Sequence, residues 1–167
     1  MLKDYQKERI ANFLNPQNDP QGRGYNVIQS VVAVGSGGIF GKGLGHGSQS
    51  QLNFLPEKHT DFIFAALAEE LGLLGSGIVL ILFGVIVYRL KETARLARDN
   101  FGYLLVVGVM AMVLSQAFIN IGMNIGMMPV TGVPLPFLSY GGSSLVSILA
   151  SFGLVQSVYL RRIKTLD

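Results

Sequence analysis

This 167-residue sequence predicts an all-α polytopic membrane protein, with three transmembrane helices preceded by a large outer loop that carries short interfacial helices. Three observations carry that expectation. Charged residues make up only 14% of the chain and hydrophobic residues 50%, whereas soluble domains carry about 25% charge. Three apolar runs approach or reach the ~20 residues that cross a bilayer. The basic residues sit beside those runs instead of forming one patch, so the net charge of +3 is no nucleic-acid footprint. The absence of cysteine excludes disulfides, a thiol nucleophile and thiolate metal sites.

Residues 1–61 form the expected outer loop. Leu2, Tyr5, Ile10, Phe13 and Leu14 give residues 1–14 an apolar side, and Asn15-Pro16 stops that helix because proline cannot continue the hydrogen-bond ladder. Asp19-Pro20-Gln21-Gly22 is a turn. Val27, Ile28, Val31 and Val32 then recur at helical spacing, opposite Asn26, Gln29 and Ser30. This stretch is too short to span and fits a helix lying in the interface. Gly35 to Gly47 contains Gly41-Lys42 but is no P-loop: Ser36 stands at the first glycine position, and Gly43 where Ser or Thr should bind magnesium. A glycine-rich loop that lets backbone approach something closely is the expectation. Its N–H groups are also candidates to cradle a pyrophosphate.

The spans are expected at about 62–88, 101–125 and 143–160, within a membrane region 62–160, followed by a tail 161–167. Arg89, Lys91, Arg95 and Arg98 crowd the loop 89–100, and Arg161, Arg162 and Lys164 the tail, whereas 126–142 has neither lysine nor arginine. By the positive-inside rule, 89–100 and 161–167 are cytoplasmic, and 1–61 and 126–142 lie outside. Some sixty polar-rich residues would then cross the membrane without a signal or an upstream span, so the chain is expected to be the C-terminal part of a longer protein.

Several polar groups are candidates for function. Glu57 and Asp61 lie four apart, with Lys58 and His59 between them, where the chain enters the first span. The cluster reads either as a solvated charged turn or as a site for chemistry on a lipid-borne substrate. Gln116, Asn120 and Asn124 form a stripe down one face of the second span, with two readings: interhelical hydrogen bonding or a substrate-facing groove. Glu69 and Glu70 suit the positive end of a helix or the wall of a cavity. Gly122 with Gly126, and Ser144, Ser147 and Ser151, offer small faces for close helix packing. In 127–144, three prolines exclude a regular helix, and apolar irregular backbone at membrane depth is tolerated where it lines a cavity.

The motif Pro134-Leu135-Pro136-Phe137-Leu138-Ser139-Tyr140-Gly141-Gly142-Ser143-Ser144 resembles the signature of the SEDS family (shape, elongation, division, sporulation), whose members include RodA, FtsW and SpoVE. Asn120-Ile121-Gly122-Met123, Pro56-Glu57-Lys58-His59-Thr60-Asp61-Phe62-Ile63-Phe64-Ala65, Glu69-Glu70-Leu71-Gly72 and the stretch from Asn15-Pro16 to Gly24-Tyr25 extend the match. Val133-Pro134-Leu135-Pro136 leans toward the RodA type. The resemblance implies a ten-helix fold, of which this chain carries the large outer loop and the last three helices. It implies a bacterial cytoplasmic (inner) membrane location and a peptidoglycan glycosyltransferase that polymerises lipid II during cell elongation and releases undecaprenyl pyrophosphate. Asp61 falls on the essential carboxylate. Glu57, Lys58, His59, Gln116, Asn120, Asn124, Ser139 and Tyr140 are the expected substrate-binding residues.

The same resemblance implies a divalent cation, Mg2+ or Mn2+, with unknown ligands. Its implied partners are lipid II, a class B penicillin-binding transpeptidase, membrane lipids and the elongation machinery, with no nucleic acid. An attacking sugar hydroxyl needs a base, which a carboxylate supplies, and the leaving pyrophosphate needs positive charge, for which Lys58, Lys42 and Arg23 are local candidates. Two other readings stand beside this one. A lipid II flippase would use the amide stripe as its path, and a non-catalytic scaffold would dock a transpeptidase on 57–70. The 167-residue piece by itself is not expected to polymerise anything.

Overall fold

The computed structural model describes residues 23–47 and 60–161, the side chain of Arg23 excepted. The predicted helix over residues 1–14 and the tail beyond Arg161 lie outside them. Four helices order the described residues: α1 (Arg23–Ser36), α2 (Ile63–Arg95), α3 (Asn100–Asn124) and α4 (Gly142–Leu160). The last three are long and apolar enough to cross a membrane, and the described residues contain no strand.

α2 packs along α3, and α4 closes against both. Phe64, Val79 and Phe83 of α2 meet Val113 and Ala117 of α3, Ile148 of α4 and Leu135 from the loop before it. A second cluster, Leu90, Ala94, Val106 and Val155, ties the three helices at their other end. Much of the apolar surface of α2 and α4 stays exposed, including Ile81, Leu82, Val146 and Leu149, as suits helices in lipid or against further spans.

The sequence placed a loop at 89–100, but α2 continues to Arg95 and only 96–99 turn. Arg89, Leu90, Lys91, Glu92, Ala94 and Arg95 are good helix formers, so the helix runs on where the hydrophobic run stops. At 33 residues and ~1.5 Å each, it is about 50 Å long, well beyond the ~30 Å hydrocarbon layer. Asp99 then caps α3, its Oδ1 accepting from Gly102 N–H at 3.2 Å.

α1 turns one side to the protein and leaves most of its expected apolar side open. Its buried face is Gly24, Val27, Ser30 and Ala33, whereas Ile28, Val31 and Val32 are exposed. Ala33 packs on Phe62 and Ala65, so α1 runs alongside the first turns of α2. Ser30 faces inward because its hydroxyl donates to the Asn124 carbonyl at 2.8 Å.

The glycine-rich loop has found its close approach. Gly72, at φ 67° and ψ −162°, breaks α2. In an unbroken helix the N–H groups of Leu73 and Leu74 would pair with the carbonyls of Glu69 and Glu70. Instead Leu73 and Leu74 donate to Gly38 and Ile39 at 2.9 and 3.1 Å, and Lys42 and Gly43 donate to Glu69 and Glu70, both at 3.0 Å. All four opened backbone groups are thus paired by the loop, as buried backbone requires. A Cβ at Gly72 would collide with the backbone of Gly41 and Ile39. The expected pyrophosphate cradle is not what this loop forms, because the N–H groups of Lys42 and Gly43 are spent on α2.

Gly126 allows the close helix approach expected of it, since a Cβ there would lie 2.9 Å from Val31 of α1, and it has a second use. Gly126 (φ 76°) ends α3: its N–H donates to the Met123 carbonyl and that of Met127 to the Gly122 carbonyl. That bond pair is a Schellman cap, which needs a left-handed residue at Gly126.

Candidate active site

Asp61 sits in the turn Thr60–Phe62 immediately before α2. Glu57, Lys58 and His59 lie outside the described residues. Phe62, at the N-cap of α2, provides no side-chain cap. The missing cap comes from another helix: Asn124 Oδ1 accepts from Ala65 N–H at 3.1 Å. The same amide donates through Nδ2 to the Asp61 carbonyl at 3.0 Å and to the Asn120 carbonyl at 2.8 Å.

Asn120, one turn earlier, donates through Nδ2 to the Asp61 carbonyl at 3.1 Å and to the Val133 carbonyl at 2.8 Å. The backbone of Asp61 is therefore held from two sides by the last turns of α3. Both asparagines are fully buried and donate to backbone carbonyls, so these two members of the predicted stripe meet backbone instead of a ligand. Gln116, the third member, is partly exposed and lines a separate hollow of about 250 Å³ with Ser143, Ser144 and Ser147. The hydroxyls of Ser147 and Ser151 turn back to Ser143 and Ser147 carbonyls of their own helix.

The loop 126–141 forms the other wall. Ser139 Oγ donates to the Thr60 carbonyl at 2.6 Å and accepts from Leu135 N–H at 2.8 Å, so this expected substrate ligand ties the loop to the residue before Asp61. Tyr140 is 81% exposed and open to a ligand. Gly132 (φ 75°) lies beside the carboxylate: a Cβ there would make ordinary contact, 3.4 Å from Asp61 Oδ2. Phe137 has a left-handed backbone (φ 66°), uncommon for a bulky residue. Its ring meets Phe152 of α4 edge-on at 5.1 Å, which holds the turn in place.

Two turns below Asp61 lies a buried ion pair. Glu69 is 0% exposed and its Oε1 meets Lys42 Nζ at 2.9 Å. Neither carboxylate reading made from the sequence, the helix terminus or the cavity wall, included this partner 27 residues away. Lys42 is correspondingly engaged with Glu69 rather than open to a leaving pyrophosphate. Among the described residues, no group of three or more carboxylates and histidines could hold a metal ion. The described residues around Asp61 do not by themselves make a divalent-cation site.

The fold and site define a multi-pass membrane protein with a carboxylate anchored at one end of its helix bundle. A sequence model of the FtsW/RodA/SpoVE family, described as cell cycle protein, matches residues 1–163, and the chain belongs to that SEDS family, whose setting is the inner membrane. It is 51% identical to the peptidoglycan glycosyltransferase MrdB of Escherichia coli K12, over 97% of this chain and 44% of that protein. It is 49% identical to the stage V sporulation protein E of Bacillus subtilis, over 92% of this chain and 42% of that protein. Its structure is similar to a chain of a solved peptidoglycan synthase complex, described as structurally coordinating polymerization and crosslinking. That match has a TM-score of 0.74 and 40% identity, covering 99% of this chain and 44% of that one. The chain thus spans less than half the length of the relatives it matches.

Proposed function

We propose that the full-length protein containing this chain is a peptidoglycan glycosyltransferase that polymerises lipid II during cell elongation. Asp61 is the carboxylate that takes the proton of the attacking sugar hydroxyl. The observation that carries this reading is the anchoring of Asp61: its carbonyl accepts from both Asn120 and Asn124. A base must be held within hydrogen-bond reach of the proton it removes, and two fixed amides with a glycine beside the carboxylate meet that need. The names of relatives such as MrdB support the reaction class.

In the reaction the acceptor 4-hydroxyl attacks the anomeric carbon of the donor sugar. The new glycosidic C–O bond forms as the bond to the pyrophosphate oxygen breaks, the hydroxyl proton passes to Asp61, and undecaprenyl pyrophosphate leaves. Membrane confinement of both substrates supplies part of the orientation. Tyr140, which is 81% exposed, is the proposed contact to the sugars, together with Glu57, Lys58 and His59 of the outer segment. A divalent cation would bring ligands from elsewhere. A class B penicillin-binding transpeptidase is the proposed partner, in keeping with the synthase complex that the structure resembles.

The test gives purified lipid II to the full-length protein with Asp61 intact or as Asp61→Asn. Glycan polymer from the intact protein alone supports the proposal. Equal polymer from both refutes the role of Asp61, and transport of lipid II across liposomes without polymer points to a flippase.

A further inference from the structure

At the end of the bundle away from Asp61, α3 and α4 part to leave a cleft of about 780 Å³. Arg98 and Arg161 stand in its lining, with Asp99 and Ser157, over apolar walls from Phe101, Leu105 and Leu154. Both arginines are exposed. Asp99 already accepts from Gly102 N–H, which directs one of its oxygens to the start of α3. The positive-inside pattern puts this end of the bundle at the cytoplasmic face. Phe101 is 74% exposed and Leu154 56%, so the walls below the charges are unfilled apolar surface at the depth of the acyl chains.

We propose that this cleft binds an anionic phospholipid of the cytoplasmic leaflet. Its phosphate lies between the Arg98 and Arg161 guanidinium groups, and an acyl chain lies along Phe101, Leu105 and Leu154. Three features select that occupant. Guanidinium groups donate paired hydrogen bonds to phosphate oxygens. Basic pockets between helices on the cytoplasmic side suit anionic headgroups. The lining changes from charged to apolar over one cleft, as a phospholipid does and a soluble anion does not. Two cations against the one carboxylate leave a net positive rim for a headgroup of single negative charge.

The experiment uses the full-length protein in nanodiscs of phosphatidylcholine with phosphatidylglycerol, and native mass spectrometry reads which lipids stay bound on release. The variant is Arg98→Ala with Arg161→Ala. The control, Arg89→Ala with Arg95→Ala, removes the same charge from the same end of the molecule but outside the cleft. Each arginine in direct contact with the bound phosphate is expected to contribute about five- to sixfold in affinity. The cleft pair is therefore expected to lower phosphatidylglycerol retention about thirtyfold and the control pair to leave it nearly unchanged. Leu105→Trp, which fills the cleft without touching a charge, is expected to lower retention as well, and Arg98→Lys with Arg161→Lys to restore part of it. Equal losses in the cleft and control pairs would mean diffuse attraction and overturn the proposal. Retention that is the same in every variant would also overturn it, since the cleft would then be filled by another part of the full-length protein.

Discussion

Replacing Asn124 by leucine keeps the branched heavy-atom skeleton of the side chain and removes every bond of the amide. Ala65 N–H, near the start of α2, loses its acceptor, and Asp61 loses one of its two donors while keeping Asn120. A buried donor left without a partner costs about 1–3 kcal/mol. The lost donor to Asp61 adds about 1 kcal/mol, for a total near 3 kcal/mol. The measurement is a reversible unfolding titration of the full-length protein in mixed micelles, beside lipid II polymerisation at matched folded fraction. We expect the stability loss together with a fall in polymerisation of about a hundredfold, since an ångström of misplacement costs that much. Asn120→Ala combined with Asn124→Leu should depart from additivity, because both residues hold one carbonyl. Stability within about 0.5 kcal/mol of the parent, with polymerisation unchanged, would refute the reasoning.

Other outcomes follow from the same geometry. Gly72→Ala places a side chain against the Gly41 and Ile39 backbone at a dihedral pair that favours glycine; it should cost about 2–3 kcal/mol and make 37–47 cleavable in limited proteolysis. Lys42→Met removes the 2.9 Å ion-pair partner of the buried Glu69 carboxylate and should destabilise by about 2–3 kcal/mol, whereas Lys42→Met with Glu69→Leu should recover much of that loss in the same titration. Ser139→Ala frees Leu135 N–H and unties the loop from Thr60; about 1–2 kcal/mol of stability and most polymerisation should be lost, while the amount of protein inserted in the membrane stays the same.

The three spans were legible because length and apolarity follow directly from the bilayer. The asparagines on α3 were legible as polar groups that had to face protein, since amides in lipid lack partners. Their targets were not, because a backbone carbonyl and an uncapped N–H leave no mark on side-chain pattern. The Gly38–Gly43 loop was readable as something that approaches backbone closely, yet its pairing with the opened turn at Glu69–Leu74 joins segments some thirty residues apart. Glu69 illustrates the same limit: a carboxylate beside an apolar run signals that a partner is needed, but not that Lys42 supplies it. The end of α2 was misread for a different reason, since hydropathy marks where lipid stops and the helix follows propensity through Arg95. The bond from Ser30 to a carbonyl on α3 was not legible, since a backbone acceptor leaves no mark on side-chain pattern.

The most direct measurement is a solved structure of the full-length protein holding lipid II and a glycan acceptor. The account predicts an Asp61 carboxylate oxygen about 2.6–3.2 Å from the acceptor 4-hydroxyl, with both asparagine amides still on the Asp61 carbonyl. An acceptor bound elsewhere, with the Asp61 carboxylate closed off behind the Gly132 loop, would contradict it.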